Sequence, residues 1–239
     1  MSRTVQSAAT LRLRLDEIRR RIAAAAQRSQ RAPEDVTLIA VGKTHPAETL
    51  RQAIAAGVTD LGENRVQEAE SKISELGRRA ARWHLIGHLQ SNKARRAVRL
   101  FDLIHTIDSV ALVQRLDRLC AEENRAELPV LVQVDLAGEA TKEGVSVEHL
   151  PEVIAAIAAS AQLRLIGLMT LPPFFADAAR VRPYFRRLRE LRDDLKVRGA
   201  FGAGRGELSM GMSHDYEVAI EEGATLVRIG TAIFGARAG

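Results

Sequence analysis

The chain has 239 residues, of which 46% are apolar and 27% are charged, a composition typical of a globular protein with a buried core. Its single cysteine, Cys120, excludes an intramolecular disulfide and suits a reducing compartment. No apolar run reaches the roughly 18 residues of a membrane span, and residues 1–20 lack the apolar core of a signal peptide. We therefore expect a cytoplasmic protein with no membrane attachment.

The formal net charge of +5 raises the question of an anionic partner. Most arginines alternate with acidic residues, a pattern typical of solvated helical faces. Local basic character is confined to residues 93–99 and the surroundings of Arg82. The sequence carries no zinc, helix-turn-helix or RNA-binding signature, so we expect no specific binding of nucleic acid.

An opening helix is predicted over residues 5–29, and short β-branched runs then alternate with amphipathic helical stretches. The predicted strands are residues 36–43, 59–64, 83–88, 103–108, 130–136, 163–170, 207–212 and 226–230. Eight such units predict an α/β fold, a (β/α)8 TIM barrel formed by a single domain over residues 1–239, with an extra N-terminal helix that covers the short last unit. The alternative is an open doubly wound sheet. It predicts a glycine-rich turn after strand 1, where the chain has VGKTHP.

In such a barrel the functional residues lie where the strands end, and the first predicted strand ends at Lys43. Alternation places Ile39, Val41 and Lys43 on one face of this strand. If that face points into the barrel, the amine projects into the mouth, where partial desolvation favours its neutral, nucleophilic form. The alternative is a surface lysine at a strand end, which spacing alone favours.

The ends of strands 7 and 8, SMGMS (209–213) and RIGT (228–231), have the residue types of a phosphate site. Gly211 and Gly230 allow close approach of the backbone, and Ser209, Ser213 and Thr231 offer hydroxyl groups. Ordinary glycine turns with helix-capping hydroxyls are the alternative interpretation.

Arg228 lies within strand 8 between apolar neighbours, so its guanidinium needs an acceptor inside the barrel. A carboxylate on a neighbouring strand is the partner that spacing favours. The other candidate is the ring nitrogen of a pyridine cofactor. An arginine at that nitrogen would keep it unprotonated and make the ring a weak electron sink.

Further polar residues stand at the ends of strands 2, 3 and 5, and they are predicted to line the same mouth or to make ordinary hydrogen bonds: Glu63, Asn64, Arg65, His84, His88, Gln133 and Asp135. The two histidines of HLIGH lack an accompanying cysteine or carboxylate cluster, so we expect no metal site.

Several blocks of the sequence resemble one known family. AVGKTHP, LGENRVQE, WHLIGHLQSNK, GLMTLPP, LSMGMSHD and VRIGTAIFG look like the blocks of the pyridoxal phosphate homeostasis proteins, the YggS/PROSC family. They follow in order from about residue 40 to 235, and LSMGMS together with VRIGTAIFG is the most specific pair. The resemblance implies a monomeric barrel like the N-terminal domain of alanine racemase.

The resemblance also implies pyridoxal 5′-phosphate as the cofactor, held by an imine to Lys43. Arg228 would then face the pyridine nitrogen, and Asn64 would lie beside the ring. The sequence departs from the family at Arg65, where tyrosine is common, and at Gly42 and Leu85, where serine and phenylalanine are common. None of these departures removes an implied cofactor contact.

The phosphate group of the cofactor would be held at the ends of strands 7 and 8. The resemblance implies contacts from Ser209 and Met210 on one side and from Gly230 and Thr231 on the other. These positions coincide with the glycines and hydroxyls that the strand-end pattern singles out.

The resemblance implies a regulator or carrier of the pyridoxal phosphate pool, without catalytic activity, with apo-enzymes that need the cofactor as possible partners. A racemase needs a second acid/base opposite the lysine, and such barrels receive it from an additional domain that we do not expect in this chain. The alternative is a weak racemase or another enzyme of imine chemistry, with Tyr216 as the better of two tyrosine candidates. A third possibility is a nucleic-acid-binding protein that uses Lys93, Arg95 and Arg96.

Overall fold

Eight parallel strands close into a barrel in chain order in the computed structural model, which describes residues 8–138 and 143–235. The strands are β1 (Thr37–Val41), β2 (Asp60–Glu63), β3 (Arg82–Leu85), β4 (Leu103–Ile107), β5 (Leu128–Gln133), β6 (Leu163–Met169), β7 (Glu207–Met212) and β8 (Leu226–Ile229). The closing pair is β1 with β8, in which Ile39 lies opposite Arg228.

Helices surround the barrel, as they must when both faces of a parallel sheet are buried. The helices are α1 (Ala8–Arg28), α2 (Ala47–Ala55), α3 (Val66–Leu76), α4 (Ala94–Leu100), α5 (Val110–Glu122), α6 (Leu150–Ala158), α7 (Arg182–Val197), α8 (Tyr216–Glu221) and α9 (Thr231–Phe234). In the part of the chain that the structure describes, no helix combines the length and apolar character required to cross a bilayer.

The predicted (β/α)8 barrel is therefore confirmed, and each of the eight predicted strands is present. The prediction was wrong about where the first strand ends. β1 ends at Val41, and Lys43 lies in the turn that follows, where Thr44 has a φ of 67°. Strand alternation alone consequently does not fix the direction of the Lys43 side chain.

Alternation along the strands separates two cores. Inward-facing side chains meet in a small apolar cluster at the barrel centre, made by Ile39, Leu103, Leu131, Met169 and Leu226. Outward-facing residues of the same strands pack under the helices and form the larger core. Ile39 belongs to the inner cluster, so the condition set for the Ile39 face of β1 holds at Ile39.

The N-terminal helix α1 covers the last, short βα unit, as predicted from the sequence. It packs against α8, α9 and α2. Its buried face repeats at helical spacing through Leu11, Leu15, Ile18 and Ile22. This helix supplies the apolar cover that the one-turn helix α9 is too short to provide.

Candidate functional site

The first part of the candidate site is the turn that carries Lys43. The Lys43 side chain is partly buried at the carboxyl end of β1. Gly230, at the end of the adjoining strand β8, lies against β1: a Cβ atom on Gly230 would be 3.5 Å from the Val41 Cβ. The His45 and Phe234 rings, with centroids 4.9 Å apart, connect the same turn to α9. The lysine turn and the end of β8 are thus neighbours at the barrel rim.

The second part is the pair of segments that follow β7 and β8. The Ser213 hydroxyl accepts hydrogen bonds from the backbone N–H groups of Gly230 (3.2 Å) and Ala232 (3.3 Å). Gly211 has a φ of 91°, and a Cβ atom there would lie 2.9 Å from the Tyr216 Cα. Glycine is therefore required for the close approach of β7 to α8. Backbone N–H groups and a hydroxyl converge here, as an anion site requires.

The residues predicted for the phosphate contact occupy different layers. The Met210 side chain is fully buried in the outer core, so only its backbone faces the rim. Ser209 points into the barrel, where its hydroxyl contacts His105 and Arg228. Thr231 begins α9 and is exposed. Ser213, which the sequence pattern also offered, is the hydroxyl that lies beside Gly230.

A chain of buried polar side chains crosses the barrel interior. The Asp60 carboxylate lies 2.8 Å from His84 Nε2, and His84 Nδ1 lies 3.0 Å from His105 Nε2. His105 Nδ1 lies 2.8 Å from the Ser209 hydroxyl, to which Arg228 Nη1 donates over 2.6 Å. These contacts link side chains of five strands, and the series of polar side chains ends at the Arg228 guanidinium.

Arg228 also donates from Nη2 to the backbone carbonyl of Thr170 over 2.9 Å. Among the described residues its hydrogen-bond acceptors are therefore neutral, not the strand carboxylate that spacing favoured. Burial lowers the pKa of Arg228 to about 10, with the Asp215 carboxylate acting in the opposite direction, so the guanidinium stays protonated at neutral pH. A buried cation held by neutral acceptors is suited to a polar ligand at the mouth.

The charge along the interior chain is concentrated at its two ends. Burial, together with the nearby charge of Arg228, holds the pKa of His105 well below its ordinary value, so His105 is neutral. Burial alone would raise the pKa of Asp60, but hydrogen bonds with His84 and Arg82 outweigh it and hold that pKa well below the usual range. An ionised carboxylate and a protonated guanidinium thus stand at the two ends of this series of side chains, with the neutral His105 between them.

An open cleft of about 780 Å³ lies at the rim above β2 and β3. Gly87 allows this arrangement, because a Cβ atom there would lie 2.4 Å from the Asn64 carbonyl oxygen. Residues from four strand ends line the cleft, among them Asn64, Arg65, His88, Lys93, Glu143 and Leu171. The predicted position of Asn64 at the mouth is therefore compatible with the structure.

Several of the predicted mouth residues lie elsewhere. Glu63 points outward, is fully buried and binds Lys72 on α3 at 2.7 Å. His84 lies inside the barrel. Gln133 is buried and donates to the Glu143 carbonyl, and Asp135 caps its own loop by accepting from Ala137 N–H. Alternation along β2 and β3 places Glu63 on the outer face and His84 on the inner face, and contacts with the loop after β5 hold Gln133 and Asp135.

The sequence interpretation missed the partners that complete the site. Asp60 and His105 extend the interior chain, and Lys72 and Glu68 lie behind the lysine turn. The signal available in the sequence was His105, a titratable residue within the mostly apolar run LIHTI of β4. The described residues contain no group of three or more His, Cys, Asp or Glu side chains placed to hold a metal ion.

Comparison with known proteins places this arrangement in a family. The model of the N-terminal domain of alanine racemase matches residues 13–238. Pyridoxal phosphate homeostasis proteins of Pseudomonas aeruginosa and Aquifex aeolicus are 45% and 42% identical to this chain, over 95% and 94% of its length and 96% and 97% of theirs. The chain belongs to the pyridoxal phosphate homeostasis protein family. The resemblance of its sequence blocks is thereby confirmed.

Solved structures agree with this family membership. PipY from Synechococcus elongatus, determined with PLP bound, aligns with a TM-score of 0.79 at 42% identity, covering 91% of this chain and all of PipY (100%). Alanine racemase from Corynebacterium glutamicum aligns with a TM-score of 0.65 at 16% identity, over 94% of this chain and 62% of the racemase. The racemase likeness shows a shared barrel fold.

Proposed function

We propose that this family member binds pyridoxal 5′-phosphate at the carboxyl ends of β1, β7 and β8 and acts in the homeostasis of that cofactor. The observation that carries the proposal is the placement of three groups on adjoining strands. Lys43 follows β1, the buried Arg228 guanidinium lies in β8 beside it, and Gly230 N–H meets the Ser213 hydroxyl where β7 and β8 end. The cofactor needs an amine for its aldehyde, a hydrogen-bond donor for its pyridine nitrogen and backbone N–H groups for its phosphate, and these three groups provide them.

These residues fit the cofactor in chemical type and in position. When bound, pyridoxal phosphate supplies an aldehyde that reacts with amines and a ring that withdraws electrons. Lys43 would attach the aldehyde carbon, and Asn64 would lie beside the ring. Arg228 can only donate hydrogen bonds, so it would leave the ring nitrogen without a proton.

The phosphate would be held by backbone N–H groups at the ends of β7 and β8. Ser209, Met210, Gly230 and Thr231 are the proposed positions, and Ser213 joins them because its hydroxyl already accepts from this cradle. Ser209 would act through Arg228, since its hydroxyl is held inside the barrel.

A carrier or regulator without catalytic activity is the form of this function that we favour. Tyr216, the residue weighed as an acid/base for a racemase, is buried in the outer core with the Arg21 guanidinium 5.5 Å from its ring centroid. Tyr184 also packs against that outer core. An unprotonated ring nitrogen beside Arg228 would also weaken the electron withdrawal that transamination needs.

The proposal extends to the location, the oligomeric state and the partners of the protein. We place it in the cytoplasm as a monomer of one domain, with apo-enzymes that need the cofactor as partners. The buried Cys120 thiol, whose pKa burial raises to about 11, suits a reducing compartment. Arg95 and Arg96, considered for nucleic acid, form ion pairs with Glu123 and Glu70. These ion pairs reduce the local charge available to phosphates.

The decisive experiment is to add pyridoxal phosphate to the purified protein and record the visible absorption band before and after borohydride. Mass spectrometry then locates the reduced adduct. We expect a band and an adduct on Lys43 in the wild type, neither in Lys43→Ala, and both in Lys196→Ala, an exposed lysine on α7. A wild type without band or adduct at saturating cofactor refutes the proposal.

A further inference from the structure

The turn that carries Lys43 is held from behind by a buried ion cluster on α3 and β2. Lys72 Nζ donates to the Gly42 carbonyl (2.8 Å), to Glu63 Oε1 (2.7 Å) and to Glu68 Oε1 (2.7 Å). All three hydrogens of the ammonium group are therefore used within the protein. Because one of the acceptors is the residue before Lys43, this cluster is tied directly to the backbone of the turn.

The residue after Lys43 is tied to the same cluster. Thr44 N–H donates to Glu68 Oε1 over 2.5 Å. Thr44 has a φ of 67°, a conformation that residues other than glycine rarely adopt without support from their surroundings. Glu68 supplies that support. The peptide groups on both sides of Lys43 are thus fixed by one carboxylate–ammonium pair, four residues apart on α3.

The cluster also lies within electrostatic range of the Lys43 amine. Glu63 is fully buried, and its Oε2 atom has no hydrogen-bond partner among the described residues. Burial raises the pKa of Glu63 to about 7, while the charges of Lys72 and Lys43 act to lower it and that of Glu68 raises it. The charged groups that face Glu63 are therefore the two lysines and Glu68, and Lys43 is one of them.

We propose that Glu68 and Lys72 are positioning residues for cofactor attachment: they clamp the peptide groups that flank Lys43 and so aim its amine at the barrel mouth. The inference rests on the proposed function, because it assigns Lys43 the role of attaching the cofactor. It goes further in naming two residues that act through the turn without touching the ligand. The clamp explains why a residue beyond the end of β1 can hold a defined direction.

Glu68→Ala and Lys72→Met test the clamp, with Glu68→Gln as the conservative variant and Glu70→Ala as the matched control on the same helix. Glutamine keeps an oxygen that accepts from Thr44 N–H. The interaction of Glu70 with the described residues is an exposed ion pair with Arg96, so its loss leaves the turn unchanged. Thermal unfolding of each variant verifies the fold, and Glu68→Ala decides the question if Lys72→Met does not fold.

Two readouts separate positioning from general damage. The first is the rate at which the visible band appears after mixing with pyridoxal phosphate, measured from about pH 6 to 9. Borohydride added at each time point reduces the imine, so that the attached fraction can be counted. The second is the affinity for pyridoxine 5′-phosphate, an analogue with an alcohol in place of the aldehyde. The analogue occupies the site but does not react with a lysine, so its binding is independent of the aim of the amine.

We expect Glu68→Ala to slow attachment by about tenfold or more, as a misplaced nucleophile does. Affinity for the analogue should stay within about twofold of the wild type, Glu68→Gln should recover most of the rate, and Glu70→Ala should match the wild type. Attachment by Glu68→Ala at the wild-type rate overturns the inference, as do equal losses of rate and analogue affinity. If the wild type never attaches the cofactor, the proposed function is refuted, and the inference about the clamp is refuted with it.

Discussion

Replacing Glu63 with glutamine should remove a component of the pH dependence of folding stability. Glu63 is fully buried at the end of β2, and one of its carboxylate oxygens has no partner in the described chain. Burial raises its pKa from 4.5 to about 7, against the opposing charge of Lys72. Between these two values the folded protein holds a proton on Glu63 that the unfolded chain has lost.

The sign and size of the effect follow from this difference. Unfolding releases a proton in this interval, so the contribution of Glu63 to the free energy of unfolding is complete below pH 4.5 and disappears as the pH rises through about 7. At about 1.4 kcal/mol per pH unit, the full change is about 3 kcal/mol. A glutamine side chain does not titrate, so in Glu63→Gln this contribution is absent.

Urea unfolding of both proteins at intervals from about pH 4.5 to 8 measures the effect. Asp60 titrates in both proteins, so subtracting one curve from the other leaves Glu63 and the effect of its charge on Glu68. The stability of the wild type relative to the variant should fall by about 3 kcal/mol as the pH rises. Two curves that stay parallel within about 1 kcal/mol would show that burial does not raise this pKa, and would refute the reasoning.

Two further predictions concern packing inside and around the barrel. Gly211→Ala should lower the free energy of unfolding by about 2–5 kcal/mol, because the positive φ is strained for alanine and the new Cβ atom would lie 2.6 Å from the Ala219 Cβ. Gly77→Ala, with a similar φ but open space, is its control and should cost only about 1–2 kcal/mol in urea unfolding. His105→Leu should cost about 2–4 kcal/mol at neutral pH, since it leaves His84 Nδ1 and the Ser209 hydroxyl without that partner. Equal losses in the two glycine variants, or an unchanged His105→Leu midpoint, would contradict these expectations.

The alternation of β-branched runs with amphipathic helices was enough to predict the barrel, because each strand carries its own local pattern. The number of units then determined closure, and the barrel fold determined that Lys43, Asn64 and Gly230 stand at one rim. Family-specific blocks such as LSMGMS supplied the expected cofactor. These inferences needed only residues that lie close together in sequence.

The polar chain and the clamp depended on contacts between residues far apart in sequence. His105 reaches Ser209 across 104 positions, and Lys72 reaches the Gly42 carbonyl across 30. Spacing predicted a carboxylate for Arg228, but the closed barrel gives it a hydroxyl and a carbonyl. Glu63 lies on the outer face of β2 with Leu61, so its side chain points away from the mouth that its position at the strand end had suggested.

The sequence by itself determined the elements, their order and the strand ends at which chemistry is concentrated, because propensity and periodicity are local properties. Only the tertiary structure decided which side chains satisfy one another. A buried polar group must find a partner, and barrel closure selects that partner from strands and helices that no spacing rule connects. Lys72 is such a case, since this buried lysine finds its acceptors in Glu63, in Glu68 and in the Gly42 carbonyl of the turn that carries Lys43.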